Sequence, residues 1–137
     1  MTQILKMQVS IINLLSGTAS LRLRAMDTLF SKIIDRTIPA DIVYEDDLCL
    51  AFKDIHPQAP IHILIIPKRP IAKIVEATTA DQQLLGHLML TAGRIATDMG
   101  VSDAYRLVVN NGADAGQSVF HLHIHLLAGR SFNWPPG

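Results

Sequence analysis

Three histidines alternate with apolar residues in His121-Leu122-His123-Ile124-His125, and Leu126 and Leu127 follow. Successive side chains of a β-strand point to opposite faces, so this spacing predicts a strand over 121–127. The three imidazoles then line one face, and Leu122, Ile124 and Leu126 enter the core. Near neutral pH an imidazole serves as nucleophile, acid–base group or metal ligand. In a zinc reading, histidines at i and i+2 share an ion and His62 adds a ligand. No Cys, Asp or Glu accompanies the row in sequence, which counts against zinc. Three idle surface histidines are also disfavoured, because the buried Leu122 and Ile124 hold the row on a patterned face. A functional row of imidazoles is the expectation.

The elements that must position this row alternate along the chain from Asp27 onward. Leu29, Phe30, Ile33 and Ile34 recur at helical spacing behind Asp27 and Thr28, which can cap, and Pro39 follows the stop. Ile42 to Tyr44 and Leu48 to Phe52 read as a hairpin around Glu45-Asp46-Asp47. A third strand is expected over Ile61 to Ile66. Thr79-Ala80-Asp81-Gln82 matches a capping box ahead of a long helix carrying Leu84, Leu85, Leu88, Met89, Ala92, Ile95, Ala96 and Met99, with Gly100 as the stop. Gly86 and Gly93 share one face of that helix, where missing side chains would let another backbone approach closely, or where they are glycines tolerated facing solvent. Strands at Tyr105 to Asn110 and His121 to Leu127 bring the number to five, joined by the glycine-rich segment 110–116. The expectation is an α+β fold: a five-stranded, mostly antiparallel sheet with one long and one short helix on one side.

The chain is 137 residues long and 49% hydrophobic, enough for one domain with a real core. Twelve basic residues balance twelve acidic ones, and no Lys/Arg stripe stands out, so binding to nucleic acid has no support. The single cysteine, Cys49, excludes an intrachain disulfide and suits a reducing compartment; its apolar surroundings predict an ordinary buried thiol. Residues 1–26 carry Lys6, Arg22 and Arg24 without an acidic residue, the composition of an organellar leader or a flexible extension. The apolar stretch from Met7 to Leu15 is too short and too polar to span a bilayer, so no membrane association is expected. Residues 27–137 are expected to form the folded domain, in an intracellular and most simply cytoplasmic protein, with an organelle as the alternative.

His121 to Leu127 resembles the defining pattern of the histidine triad (HIT) family, His-φ-His-φ-His-φ-φ with φ apolar, at every position. Further matches are Asp54-Ile55-His56-Pro57-Gln58-Ala59-Pro60, the His62 strand, Leu84 to Leu88, Val108-Val109-Asn110, Gly116-Gln117-Ser118 and Trp134-Pro135-Pro136-Gly137. The likeness is to the histidine triad nucleotide-binding branch, the purine nucleoside phosphoramidases. It implies a homodimer whose two sheets join, and hydrolysis of a purine nucleoside 5′-phosphoramidate to the nucleoside monophosphate and an amine. No metal or cofactor is implied. Two rivals are a dinucleoside polyphosphate hydrolase or nucleotidyl transferase of the same family, and a noncatalytic nucleotide-binding scaffold.

The same resemblance implies a role for each matched residue. His123 takes the place of the nucleophile, whose covalent nucleotidyl intermediate water hydrolyses. Its other ring nitrogen needs an acceptor, expected to be a backbone carbonyl of the same strand. His125, with Ser118, is assigned protonation of the departing amine, His121 flanks on the other side, and His62 orients or charges the site. Asp54, followed by Ile55, takes the ribose hydroxyls, and Asn110 the ribose or phosphate. Gly116, Gln117 and Ser118 cradle phosphate oxygens. Phe30, Ile33 and Phe52 are candidate purine walls, although their periodicity marks them first as core. Trp134 lies in a proline-rich tail that in this family reaches across the dimer. His87 is expected to serve packing or a surface hydrogen bond, and Lys53 and His56 to be exposed.

Overall fold

The computed structural model describes residues 27–137. The expected extension 1–26 lies outside the described residues. Helix α1 spans Leu29–Ile34 and begins at Thr28, whose hydroxyl accepts from the Ser31 backbone while the Ser31 hydroxyl accepts from the Thr28 N–H, a reciprocal cap. Strands β1 (Ile42–Glu45) and β2 (Cys49–Lys53) form the expected hairpin. Its turn is closed by Asp46, whose carboxylate accepts from the Leu48 and Cys49 N–H groups at 2.8 Å each. Then come β3 (Ile61–Pro67), helix α2 (Gln82–Asp98), β4 (Tyr105–Val108) and β5 (Ile124–Ala128). The sheet order is β1-β2-β3-β5-β4, and every pairing is antiparallel.

Alternation along the three inner strands, β2, β3 and β5, builds a core on each side of the sheet. Cys49, Ala51, Ile63, Ile65, Ile124 and Leu126 face α2, against Leu88, Ala92, Ile95 and Ala96. Leu50, Phe52, Leu64 and Ile66 face α1, against Phe30 and Ile33. The two helices therefore lie on opposite faces, not on one side as the sequence reading had it. A strand buried on both faces needs cover on both, and six residues of α1 suffice for the second.

Three further expectations shift. The capping box of α2 begins one residue earlier: the Thr78 hydroxyl accepts from the Ala80 N–H and the Asp81 carboxylate accepts from the Thr78 N–H, so 79–81 forms a 3-10 turn before the helix. Strand β4 ends at Val108, leaving Asn110 in the following loop. Within the described residues no backbone approaches Gly86 or Gly93; a side chain at Gly86 would meet nothing, and one at Gly93 only the Tyr105 hydroxyl, at 3.5 Å.

Candidate active site

The histidine row starts ahead of its strand. Only His125 lies within β5, because the ladder with β3 ends at the pair Ile65 and Ile124. Continuing that register would set Leu122 opposite Pro67, which has no N–H to donate. The free groups find other partners: the Pro67 carbonyl accepts from the His121 ring at 2.7 Å, and the Leu122 N–H donates to the Ile71 carbonyl at 2.6 Å. The alternation persists without the ladder. Leu122, Ile124 and Leu126 remain in the α2-side core, while the edge of Phe30 from α1 meets the rings of His121 and His123, at 6.2 and 5.0 Å between centroids. His121 and His123 are buried and His125 is half-buried.

His62 reaches the row from β3. It pairs with Leu127, and Leu64 pairs with His125, so His62 and His125 are diagonal neighbours on the α1 face. Their rings meet with His62 Nε2 2.9 Å from His125 Nδ1. The Asp54 carboxylate, just past the end of β2, lies 3.4 Å from the same His62 nitrogen.

Backbone partners assign the tautomers of these rings. His123 Nδ1 lies 2.7 Å from the His121 carbonyl, which can only accept; that nitrogen carries the proton and His123 Nε2 keeps a bare lone pair. The carbonyl expected from the sequence is present, although in the segment before the strand. For His62 the partner is reversed: the Gln58 N–H donates to Nδ1 at 3.0 Å, so the proton sits on Nε2. His62 Nε2–H then donates to His125 Nδ1, and His125 carries its proton on Nε2. The site thus joins a bare nitrogen on His123 to an N–H on His125, with ring centroids 4.9 Å apart. One ring can attack an electrophile and its neighbour can donate a proton.

Burial holds all four imidazoles in the neutral form. Desolvation pushes His62, His121 and His123 below the ordinary histidine value, against the opposing pull of Asp54 on His62 and His123. His125 is pushed furthest, to about 4, by desolvation and then by His123 and His62. A neutral His123 is what nucleophilic attack requires.

Asp54, His62 and His125 have donor atoms close enough to share a metal ion. The Gln58 N–H argues against it, because it occupies His62 Nδ1 and leaves the inward nitrogen protonated rather than open for ligation. A second cluster, Asp46, Cys49 and His87, reads as structural. The Asp46 carboxylate already accepts from His87 Nε2 at 2.6 Å, the Tyr44 hydroxyl and two backbone N–H groups. His87 thus makes the surface hydrogen bond expected of it, and Cys49 is fully buried, its thiol pushed up to about 11 chiefly by desolvation.

The remaining candidates divide. Phe30, Ile33 and Phe52 are buried in the α1-side core, with Phe30 edge-on to Phe52, so only their rims can meet a ligand. The Asn110 side chain lies against Gly116, whose left-handed backbone (φ 98°) favours glycine. The Gln117 side chain is buried at 3% exposure. It accepts from the Gly112 N–H and donates to the Ala72 and Val119 carbonyls, bracing the glycine-rich loop from within. Ser118 is exposed, and with Leu29, Arg69 and Phe120 it lines a groove of about 730 Å³ beside the N-terminus of α1. Ile55 and Trp134 stand free, at 82% and 84% exposure. Lys53 turns away to Asp41, at 3.3 Å, and His56 is exposed. Sequence reasoning missed Gln58, whose backbone sets the tautomers; no feature of its side chain could have signalled this.

An alternating imidazole row on an antiparallel five-stranded sheet defines a histidine triad protein, and the HIT domain model matches residues 35–132. The chain belongs to the HIT family. It is 64% identical over 113 residues to an uncharacterised HIT-like protein of Synechocystis, covering 82% of this chain and 99% of that one. A HIT family hydrolase from Legionella pneumophila superposes with a TM-score of 0.80 at 48% identity, covering 81% of this chain and 100% of that one. A histidine triad nucleotide-binding protein from Candida albicans superposes with a TM-score of 0.69 at 29% identity, covering 80% and 83%.

Proposed function

We infer that this protein is a nucleoside phosphoramidase, hydrolysing purine nucleoside 5′-phosphoramidates to the nucleoside monophosphate and an amine. The observation that carries this reading is the complementary protonation of His123 and His125: a bare Nε2 on one, an N–H on the other. Its likeness to the HIT family hydrolase of Legionella and to the histidine triad nucleotide-binding protein of Candida supports it.

His123 Nε2 attacks phosphorus, the P–N bond breaks, and the amine leaves with a proton delivered from His125 Nε2. Water then attacks the nucleotidyl-histidine and His125 accepts its proton, returning His123 to its starting form. Neutral in the free site, His125 acts as a neutral imidazole donor, its Nδ1 supported by the His62 Nε2–H as the proton leaves. Asp54 and Asn110 hold the ribose, and Gly116, Gln117 and Ser118 shape the phosphate cradle, Gln117 from behind. The rims of Phe30, Ile33 and Phe52, with exposed Ile55, form the base wall. No step draws on a metal or cofactor.

The working form in this reading is a homodimer. β4 is a sheet edge, and Met89 and Leu90 on the outer face of α2 are 52% and 78% exposed, apolar surface that a second copy can cover. Trp134 would then complete the partner's site.

The test is hydrolysis of a fluorogenic adenosine 5′-phosphoramidate by wild type and His123→Ala, with and without chelator, beside a diadenosine polyphosphate. Activity on the phosphoramidate that survives chelation and vanishes in the variant is expected. Preference for the polyphosphate would move the reading to the dinucleotide-cleaving branch. Inactive, folded wild type that still binds nucleotide would replace hydrolysis with a scaffold role.

A further inference from the structure

The protonation pattern of His62 and His125 depends on one backbone group, the Gln58 N–H. Apart from those of the Gln58 backbone, the hydrogen bonds of its loop are local: the His56 N–H to the Asp54 carboxylate and the Gln58 side-chain amide to the His56 carbonyl. That loop, 56–60, joins β2 to β3, and Gln58 itself is exposed. Its carbonyl accepts from Arg130 Nε at 3.0 Å, and its N–H donates to His62 Nδ1 at 3.0 Å. Arg130 follows the end of β5, the strand that carries His125. The loop that sets the His62 tautomer is therefore tied to the strand whose histidine receives the result.

Two neighbouring features hold Arg130 in place. Gly129 has φ 91°, and a side chain there would come within 2.9 Å of the Pro60 ring, so glycine lets this corner press on the loop. The Arg130 guanidinium lies over the Phe132 ring at 4.3 Å and donates to the Ser131 carbonyl. Arg106 from β4 stacks on the same ring, at 5.0 Å, and donates to the Asn133 carbonyl. Stacking and a directed N–H fork together suit arginine and not lysine.

We propose that Arg130 is a positioning residue for proton transfer: by holding Gln58, it keeps the proton of His62 on Nε2 and therefore that of His125 on the nitrogen aimed at the leaving group. Without this tie the loop can retreat, Nδ1 of His62 loses its donor, and either ring nitrogen can carry the proton. His125 then presents a donor in only part of the population. Arg130 touches neither the reacting atoms nor His123, so nucleophile geometry and substrate binding are spared.

The direct measurement is the protonation state of each ring nitrogen, from long-range ¹H–¹⁵N NMR spectra of histidine-labelled, ligand-free protein at neutral pH. Wild type is expected to show His62 and His125 as single Nε2–H tautomers, and Arg130→Met a mixture at both, with His123 unchanged. Phe132→Leu, which removes one support of Arg130 and leaves its side chain able to reach Gln58, should give a smaller admixture than Arg130→Met. Arg130→Gln carries the same test if the methionine variant does not fold, with Arg130→Lys giving partial recovery. Unchanged tautomers in Arg130→Met, or equal mixing in Phe132→Leu, would overturn the proposal. The catalytic consequence rests on the phosphoramidase reading: kcat falls about tenfold or more with KM unchanged, as small misplacements of a catalytic group do. A failure of that reading would show as absent turnover in wild type, leaving the tautomer result to stand separately.

Discussion

His62 Nε2 lies 2.9 Å from His125 Nδ1, joining two strands whose histidines are 63 residues apart in sequence. The contact is one-directional, because the Gln58 N–H denies His62 the opposite tautomer. Replacing His62 by glutamine should keep the size of the group and lose the orientation. We expect kcat for phosphoramidate hydrolysis to fall by about 10²-fold, within the range for general acid–base groups, with KM little changed. Steady-state kinetics of His62→Gln beside His125→Ala checks this; a normal kcat would show that His125 needs no partner.

Nucleotide binding should be accompanied by proton uptake. In the free site His125 titrates at about 4, held down by burial and by the neighbouring imidazoles. A bound nucleoside monophosphate brings negative charge next to it and raises that value, so protons are taken up on binding in acidic buffer, just above the free-site value. Calorimetry of binding in buffers of different ionisation enthalpy reads the number directly. His125→Gln should abolish the uptake, and buffer-independent enthalpies in wild type would refute it.

Stability should fall on acidification over an identifiable window. A histidine that titrates at about 4 when folded and near 6.5 when unfolded binds more protons in the unfolded chain between those values. Its stabilising contribution is complete above about pH 6.5 and declines as pH falls toward about 4. The lowered values of His62, His121 and His123 act in the same direction. Denaturant unfolding at pH 7 and pH 4.5 should show the loss, and His125→Gln should flatten part of it.

Gln117→Met should separate bracing from binding. The variant leaves the Gly112 N–H and the Ala72 and Val119 carbonyls without their partner. A buried group left unpaired costs about 1–3 kcal/mol, so the melting temperature should drop measurably. KM for the phosphoramidate should rise, since Gly116 and Ser118 flank the lost brace. Unchanged stability would mean that the three bonds are replaced by water.

Cys49 should be inert in the folded protein. It is fully buried, and its thiol is pushed up to about 11, far from the thiolate that reacts. A disulfide reagent should modify it only at the rate of unfolding; rapid labelling under native conditions would show an opening of the β1–β2 hairpin.

Much of this was legible in the sequence because it is periodic. Alternation in 121–127 marked the faces of Leu122, Ile124 and Leu126 and those of the three histidines correctly, even where the ladder stops short. The helical spacing of Leu88, Ala92, Ile95 and Ala96 located α2 and its buried side, and five strands could be counted from apolar runs and turn residues. Local patterns of this kind follow from the geometry of a single element.

What the tertiary structure decided lies between elements. Which face of the sheet each helix covers depends on how the chain crosses it, and that placed α1 with the histidines and α2 opposite. The early end of β5 follows from the register that sets Leu122 against Pro67, a pairing invisible until the strands are aligned. The tautomers of His62, His123 and His125 follow from a loop N–H and a carbonyl that face the rings in only one packing. Residue types supplied the imidazoles; the direction of their protons is a long-range property, because a ring nitrogen takes its protonation from whatever backbone group the fold sets against it.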